Sequence, residues 1–542
     1  MTVAADTPVG AAASGGPATA RIAGAATLIA MLTVASRIAG FARTYVFGHT
    51  VTDKQLSDIY LAANTIPNII FEIVAGGALA GMVVPLLAGP LAAGDRAAVR
   101  RTVSVLLTWT LTALIPIAFL LWLGADLVIG LLASEATPAQ LTAGADMLRV
   151  FAPQVPLYGI GIVLTGVLHA HRRFAWPVLA PLLSSLTVIA TYLTFAAVAG
   201  ASAPLSTVDG RALAILAGGT TLGVVVLSLC LVIPVGRLRL GLRPTYRIEP
   251  DVRYRIGSLA AAGLATVAAQ QLALLVVIHL ALDGPDGTNT VYNFAQTLFL
   301  LPWAVLAVPA ATAAYPAIAT AHATADTAGL RVTTARTGRA VLLLSGLGTA
   351  GLIAVSTPAA ELMLPGTSAP ALARAVVAFA PGLLGYGLAA LHQRTLYAVG
   401  ANRLAALGVG AGWTVTVVAA LVLSAVLPEH ERAVALGAAN SLGMLVMGLA
   451  LAVAVRARVG GPALSGLVRA GLAAGVAALA GAAVGWEAGR VVIGPTPGII
   501  AVIGQGMLSG GVSLAVYLCV CALLDRPDLR PLIERVTRRG RR

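Results

Sequence analysis

Two arginines six residues apart inside an apolar stretch are the residues of this 542-residue chain best suited to chemistry. Arg37 and Arg43 flank Gly40 in the string Ser36-Arg37-Ile38-Ala39-Gly40-Phe41-Ala42-Arg43. Six positions are about 120° around a helix, so the pair borders one face from two sides. The next apolar stretch carries Asp58, then Asn64, Asn68 and Glu72 with Pro67 between them. The last three share a helix face at i, i+4 and i+8, and Pro67 loosens that helix. A charge at membrane depth costs about 3 kcal/mol on insertion scales, so it faces a cavity or a partner. Two readings follow. Arg37 and Arg43 form a cationic pocket for an anionic head group, because guanidinium forks suit phosphate oxygens in two-point contacts. Alternatively, they pair with Asp58 and Glu72 and only hold two helices together.

In the second half of the chain, Gln296 and Thr297 follow Asn293 in an apolar stretch. The candidate substrate-binding set is therefore Arg37, Arg43, Asp58, Asn68, Glu72, Gln296 and Thr297. Arg149, Gln154, Gln270, Gln271, Asn440 and Gln505 are further polar groups expected in the lining. Other chemistries lack their residues. His169 and His171 are two apart and do not share a helix face, which argues against a metal. No phosphate-binding glycine loop, nucleophile elbow or acidic cluster with metal spacing is present in the sequence. No catalytic residue, metal or cofactor is expected, and the chain does not read as an enzyme. Cys230, Cys519 and Cys521 lie in apolar stretches and read as small fillers, not as disulfides.

The elements that position these groups are membrane spans. At 58% hydrophobic and 10% charged residues, the composition leaves no room for a soluble domain. A span needs about 20 mostly apolar residues, and fourteen such stretches are expected. They run near 23–47, 58–87, 99–123, 142–169, 175–199, 211–235, 255–282, 289–318, 332–357, 369–397, 402–427, 432–456, 464–486 and 498–524. In lipid the backbone must satisfy itself internally, so the spans are helices. Residues 1–20 read as a disordered cytoplasmic tail and 526–542 as a basic cytoplasmic tail. The first span is expected to be retained, since it lacks a signal peptide's positive leader and short apolar core.

Of the 35 basic residues, 27 fall in the two tails and the even-numbered connections. By the positive-inside rule both termini are cytoplasmic, as an even number of spans requires. The net charge of +14 is then mostly topological and does not signal nucleic acid. The excess of Arg over Lys, with abundant Ala, suggests a GC-rich bacterial source.

A faint internal repeat appears at an offset of 231 residues. Pro85 with Arg100 recurs as Pro316 with Arg331, Arg172 as Arg403, and Asp58 falls on Asn289. Six spans per unit leave both units in one orientation, a parallel repeat typical of transporters with the substrate between bundles. The expected plan is a first six-helix bundle at 21–240, a second at 253–458 and two additional helices at 462–525. Nothing at the repeat-equivalent positions Ala268 and Leu274 is charged, so the positive charge belongs to the first bundle alone.

These residues resemble the MurJ/MviN family of lipid II flippases, within the multidrug/oligosaccharidyl-lipid/polysaccharide exporter superfamily. The resemblance runs through nearly all of the chain. It is carried by Ser36-Arg37 to Phe41-Ala42-Arg43, by Asp58 with Pro67-Asn68, and by Gly166 to Phe174 with Pro177 and Pro181. Pro302, Thr312 and Pro316, and the string Arg394-Thr395-Leu396-Tyr397-Ala398, add to it. The resemblance implies a bacterial inner-membrane flippase that moves a polyprenyl-diphosphate-linked saccharide outward by alternating access. Arg37 and Arg43 would hold the diphosphate, and Asp58 would act as a gate or as their releasable partner. A membrane potential or a coupling cation would drive it, and cell-envelope synthesis proteins are candidate partners. The chain departs from the family at Phe71 and Glu72, where it is usually basic, at Gly76, where it has an acid, and at Thr297, where it has an Arg. That weaker charge suggests a divergent paralogue with a related lipid-linked substrate. The rival readings are a flippase for another lipid-linked polysaccharide, a cation-coupled drug exporter, and a non-transporting envelope scaffold.

Overall fold

The computed structural model describes residues 17–74, 83–247, 267–491 and 498–525. Among them every regular element is helical, and the protein is an all-α polytopic membrane protein. The first half comprises α1 (Pro17–Thr50), α2 (Lys54–Val74), α3 (Val83–Ala92), α4 (Arg96–Leu123), α5 (Ala125–Leu132), α6 (Pro138–Phe151), α7 (Gln154–Ala170), α8 (Ala175–Ala199), α9 (Gly210–Leu229) and α10 (Val232–Gly236). The second comprises α11 (Val267–Leu282), α12 (Thr288–Pro302), α13 (Val308–Ala323), α14 (Thr327–Ala354), α15 (Ser356–Met363), α16 (Ala369–Phe379), α17 (Gly382–Ala398), α18 (Asn402–Val426) and α19 (Arg432–Val459). A hairpin of α20 (Leu467–Arg490) and α21 (Ile499–Leu524) follows and packs on α14 and α15.

Among the described residues, ten helical segments are long and apolar enough to cross a membrane, and the α16–α17 pair, bent by 47°, makes an eleventh if it is one span. The expected first, second and seventh spans coincide with α1, α2–α3 and α11, which fall outside that count over their described residues. Helix α1 begins at Pro17, inside the expected tail. Gly76, residues 1–16, the start of the seventh span and the basic tail 526–542 lie outside the described residues.

Local chemistry fixes the helix starts. Asp95, Asp209 and Asp326 each accept an N–H in the first turn of α4, α9 and α14, and Thr137 with Gln140 forms a capping box on α6. Each such cap is worth about 1 kcal/mol. Helices α4 and α14 are both 28 residues long and start 231 residues apart. Helices α5 and α15, both 8 residues, start at the same separation. The turns before α4 and α14 both carry a positive-φ residue, Gly94 at 67° and Ala325 at 56°. A π-helical turn, Trp303–Ala307, follows Pro302 and joins α12 to α13; proline and an i→i+5 turn are the usual causes of a kink.

Small residues let the helices of the second half close on one another. A Cβ at Gly448 would sit 2.5 Å from the Gly385 carbonyl oxygen, and one at Gly385 would overlap the Met444 carbonyl oxygen. Helices α17 and α19 therefore pack backbone against backbone, as membrane helices with small residues at the interface do. The C-terminal hairpin uses the same device, burying Ala473, Ala474, Ala477, Ala478 and Ala482 of α20. Replacing Gly385 with leucine should destabilise the protein by about 1–3 kcal/mol or more, read as a lower melting temperature of the detergent-solubilised protein. Gly351→Ala, with open space within 4 Å, should shift stability by no more than about 1 kcal/mol. Equal melting of the two variants would mean that α17 and α19 are not in backbone contact.

Candidate functional site

Two helix pairs that join the halves are α2 with α12 and α1 with α15. At the centre of the first pair is Asp58, only 3% exposed. Its carboxylate accepts N–H bonds from Gly287 at 2.7 Å and Thr290 at 2.7 Å, and the Thr290 hydroxyl at 2.7 Å. Gly287 is the N-cap of α12, adopts φ 95°, and offers no side chain to cap its own helix. A left-handed backbone of this kind is adopted most easily by glycine, which has no Cβ. Asp58 thus supplies from the first half the carboxylate that the α12 N-terminus lacks, where free N–H groups and the helix dipole favour negative charge. Around it, Asn289 Nδ2 donates to the Asp58 carbonyl at 2.9 Å, Gln55 donates to Asp286 at 3.0 Å, and the Ser57 hydroxyl oxygen lies 2.9 Å from that of Thr290.

The same end of the molecule carries the other links between halves. Ser134 donates to Asp283 at 3.0 Å, and His279 Nδ1 lies 3.2 Å from the Leu132 carbonyl oxygen. Gly48 of α1 packs under the Met363 carbonyl and the Phe294 ring, with no room for a Cβ. Just inside, Phe47 stacks on Tyr60 with centroids 5.3 Å apart and meets Phe294 at 6.3 Å. The Tyr60 hydroxyl is held by Tyr192 at 2.9 Å and Thr220 at 2.8 Å. These rings and the Asp58 clamp close one end of the interface.

Beyond this plug two cavities lie on either side of α2. The first, about 390 Å³, is lined by Arg43, Asn64, Asn68, Tyr158, Tyr192, Asn293 and Thr297, among others. The second, about 240 Å³, is lined by Asn68, Glu72, Gln270, Gln271, Gln296, Tyr386, Trp413 and Asn440, among others. Asn68 and Thr65 border both. Asn68 is fixed by donating to the Asn64 carbonyl at 2.8 Å and accepting from the Tyr158 hydroxyl at 2.8 Å. Thr297 and Asn293 turn their donors back onto α12, to the carbonyls of Asn293 and Asn289. Tyr386 is held by the stacked Trp303 ring at 4.4 Å.

The structure brings six of the seven sequence candidates to this interface and places Arg37 apart. Arg43, Asn68 and Thr297 line the first cavity, Glu72 and Gln296 the second, and Asp58 the clamp. Arg37 is exposed and lines neither of these cavities. Among the described residues, neither arginine makes an ion pair with Asp58 or Glu72, and Asp58 is satisfied by α12 instead. Three polar groups expected in the lining lie elsewhere. Arg149 is held by Asp126 and Asp146, Gln154 bonds Thr221 at 3.0 Å, and Gln505 is buried on α21. Sequence reasoning missed the aromatic lining, because Tyr158, Tyr192 and Tyr386 in apolar stretches look like ordinary core.

A family model described as lipid II flippase MurJ matches residues 45–492. The lipid II flippase MurJ of Burkholderia cenocepacia is 28% identical over 283 residues, 51% of this chain and 53% of that protein. The probable lipid II flippase MurJ of Synechocystis sp. is 29% identical over 232 residues, 42% of this chain and 43% of that one. The chain thus spans about half the length of the curated relatives it matches. Among solved structures, a lipid II flippase MurJ in an inward closed conformation superposes with a TM-score of 0.74 at 16% identity, covering 92% of this chain and 99% of that one. An inward-facing multidrug resistance MATE family transporter superposes with a TM-score of 0.66 at 14% identity, covering 81% and 99%. These structural likenesses establish the fold, and the family model, running through most of the sequence, establishes the kinship: the chain belongs to the MurJ lipid II flippase family.

Proposed function

We propose that this protein moves a polyprenyl-diphosphate-linked cell-wall precursor, lipid II or a close relative, from the cytoplasmic to the outer leaflet of the bacterial inner membrane. It is a transporter and not an enzyme. The observation that carries the reading is the pair of cavities between the halves, cationic at Arg43 and closed at one end by the Asp58 clamp. The arginine-rich connections lie at the opposite end of the helices, so the positive-inside rule puts the clamp on the outer side. The cavity is then a site awaiting substrate from the cytoplasmic side, and alternating access would open the clamp and close the basic end.

Fourteen spans in a 6+6+2 plan, with both termini cytoplasmic, complete the proposal. Contacts between residues 231 positions apart support the parallel repeat: Gln55 meets Asp286, and Asp58 meets Asn289. Residues beside a two-fold axis touch their own equivalents. The contacts of Gly48 with Met363 and of His279 with Leu132 are related by the same offset.

The two cavities divide the head group by chemistry. Arg43 faces the diphosphate, and the amides Gln270, Gln271, Gln296 and Asn440, with Tyr386 and Trp413, suit a neutral polar saccharide. Arg37, about 9 Å farther along α1 toward the basic end, meets the diphosphate first. A membrane potential or a coupling cation supplies the energy, and the basic connections are where envelope-synthesis proteins would dock. A cation-coupled drug exporter would want acids facing its substrate, whereas among the described residues the first cavity is lined by Arg43 and no acid, and the second by the single acid Glu72.

Expression in a bacterium depleted of its own lipid II flippase should restore lipid II at the outer leaflet. Arg43→Ala should abolish that rescue at unchanged expression; rescue by this variant would remove Arg43 from the pocket. A well-inserted wild-type chain that fails to rescue would exclude lipid II as its substrate. A second prediction concerns the clamp. In Asp58→Asn the amide NH2 would face backbone N–H donors, so the closed end should loosen. A cysteine placed at Asn293 in a cysteine-free background should then react severalfold faster with a membrane-impermeant thiol reagent added outside. Identical reaction rates would mean that Asp58 does not hold this end shut.

A further inference from the structure

A second built feature lies away from the interface. After α10 the chain turns at Arg239 and Gly241, both at positive φ, and residues 242–247 run back along α4 as an extended strap. Three hydroxyls at four-residue spacing on α4 receive it. The Arg243 N–H donates to Ser104 at 3.1 Å, the Thr245 N–H donates to Thr108 at 3.1 Å, and the Tyr246 hydroxyl meets Thr112 at 2.9 Å. Between strap and helix remains a groove of about 550 Å³. Its walls are Leu107, Leu111, Ile115 and Pro116 of α4, with Leu242 and Pro244 of the strap. Ser104, Thr108 and Thr112 also border the groove, but Ser104 and Thr108 are engaged by the strap's backbone N–H groups and Thr112 by the Tyr246 hydroxyl, so the surface left open is mostly apolar. Its volume is within the range of about 300–1,000 Å³ usual for sites that bury a small ligand.

The mouth of this groove is basic. Arg243 lines it, and the Arg100 side chain approaches Gly241, with Cδ 4.0 Å from where a Cβ would stand. Arg237, Arg239 and Arg247 belong to the same connection. The groove shares no lining residue with the two cavities between the halves. An apolar slot on a lipid-facing helix with guanidinium groups at its cytoplasmic mouth matches one ligand class, an acyl chain joined to a phosphate. A soluble anion would leave the apolar walls unused, and a zwitterionic lipid would set its own cation against the arginines.

We propose that the α4–strap groove is a binding site for an anionic phospholipid of the cytoplasmic leaflet. One acyl chain lies along Leu107, Leu111 and Ile115, and Arg100 and Arg243 hold the phosphate. The bound lipid fastens to α4 the connection that links the two halves.

The test is lipid retention by the purified full-length protein, read by native mass spectrometry. Dioleoyl phosphatidylglycerol is compared with dioleoyl phosphatidylcholine, which has the same acyl chains. Phosphatidylglycerol should be retained preferentially, with about a fivefold loss for each of Arg100→Gln and Arg243→Gln, the change expected for one basic residue against an anionic lipid. Leu111→Trp, which fills the slot, should also lower retention, and Arg456→Gln, on an exposed position of α19, should not. Equal retention of both lipids, or retention unchanged in the two arginine variants, overturns the site. Loss in the arginine variants but not in Leu111→Trp would mean a head-group contact without a groove, and overturns it as well. Displacement of phosphatidylglycerol by equimolar undecaprenyl phosphate would assign the groove to the polyprenyl carrier instead.

Discussion

The closed end depends on a carboxylate that completes a helix in the other half of the molecule. A buried carboxylate without partners would cost several kcal/mol, and an N-terminus without a cap costs about 1 kcal/mol. Asp58 and the first turn of α12 cancel these two deficits against each other. Because each deficit belongs to a different half, the cancellation exists only while the halves are together. Charge-assisted bonds of this kind contribute about 1.5–3 kcal/mol each, enough to favour the closed arrangement without locking it. The partner groups on α12 are backbone N–H groups with a fixed direction, so the bond is lost by a small rotation of one half.

Helix α2 does more than carry the clamp. Asn64, Asn68 and Glu72 form one stripe in sequence, yet the stripe straddles the ridge between two cavities. Asn64 is in the first, Glu72 in the second, and Asn68 on the divide with its oxygen fixed by Tyr158. Adjacent residues Gln296 and Thr297 of α12 divide in the same way. The cation and the acid are thereby kept in separate compartments, which is why Arg43 and Glu72 do not neutralise each other.

Much of this was legible in the residues. Apolar length gave the all-helical, many-span character, because lipid admits little else, and rare polar groups pointed to the interface. Asp58, Asn68, Glu72, Gln296 and Thr297 were all found by that argument. The partner of Asp58 was not, because a backbone N–H has no sequence signature and Arg43 was the more obvious counter-charge. Arg37 and Arg43 looked alike by type, and what separates them is that Arg43 lines the first cavity whereas Arg37 lines neither. The bend between α16 and α17 and the short helices α5 and α15 were hidden inside or between runs of apolar residues. Their positions depend on neighbours hundreds of residues away, which local periodicity does not encode.

The contact between Asp58 and Asn289 also constrains how such a chain can arise. On the parallel repeat proposed above, a molecule assembled from two identical halves would set two aspartates side by side at the axis, each buried and each repelling the other. Only one of them could cap a helix in the opposite half. Exchanging a single oxygen for an amide nitrogen turns that repulsion into a hydrogen bond to the opposing carbonyl. Fusing two copies into one chain makes that exchange available, since a dimer of identical subunits must carry the same residue on both sides. On the proposed repeat, divergence of the halves at this position is a condition of closing the molecule.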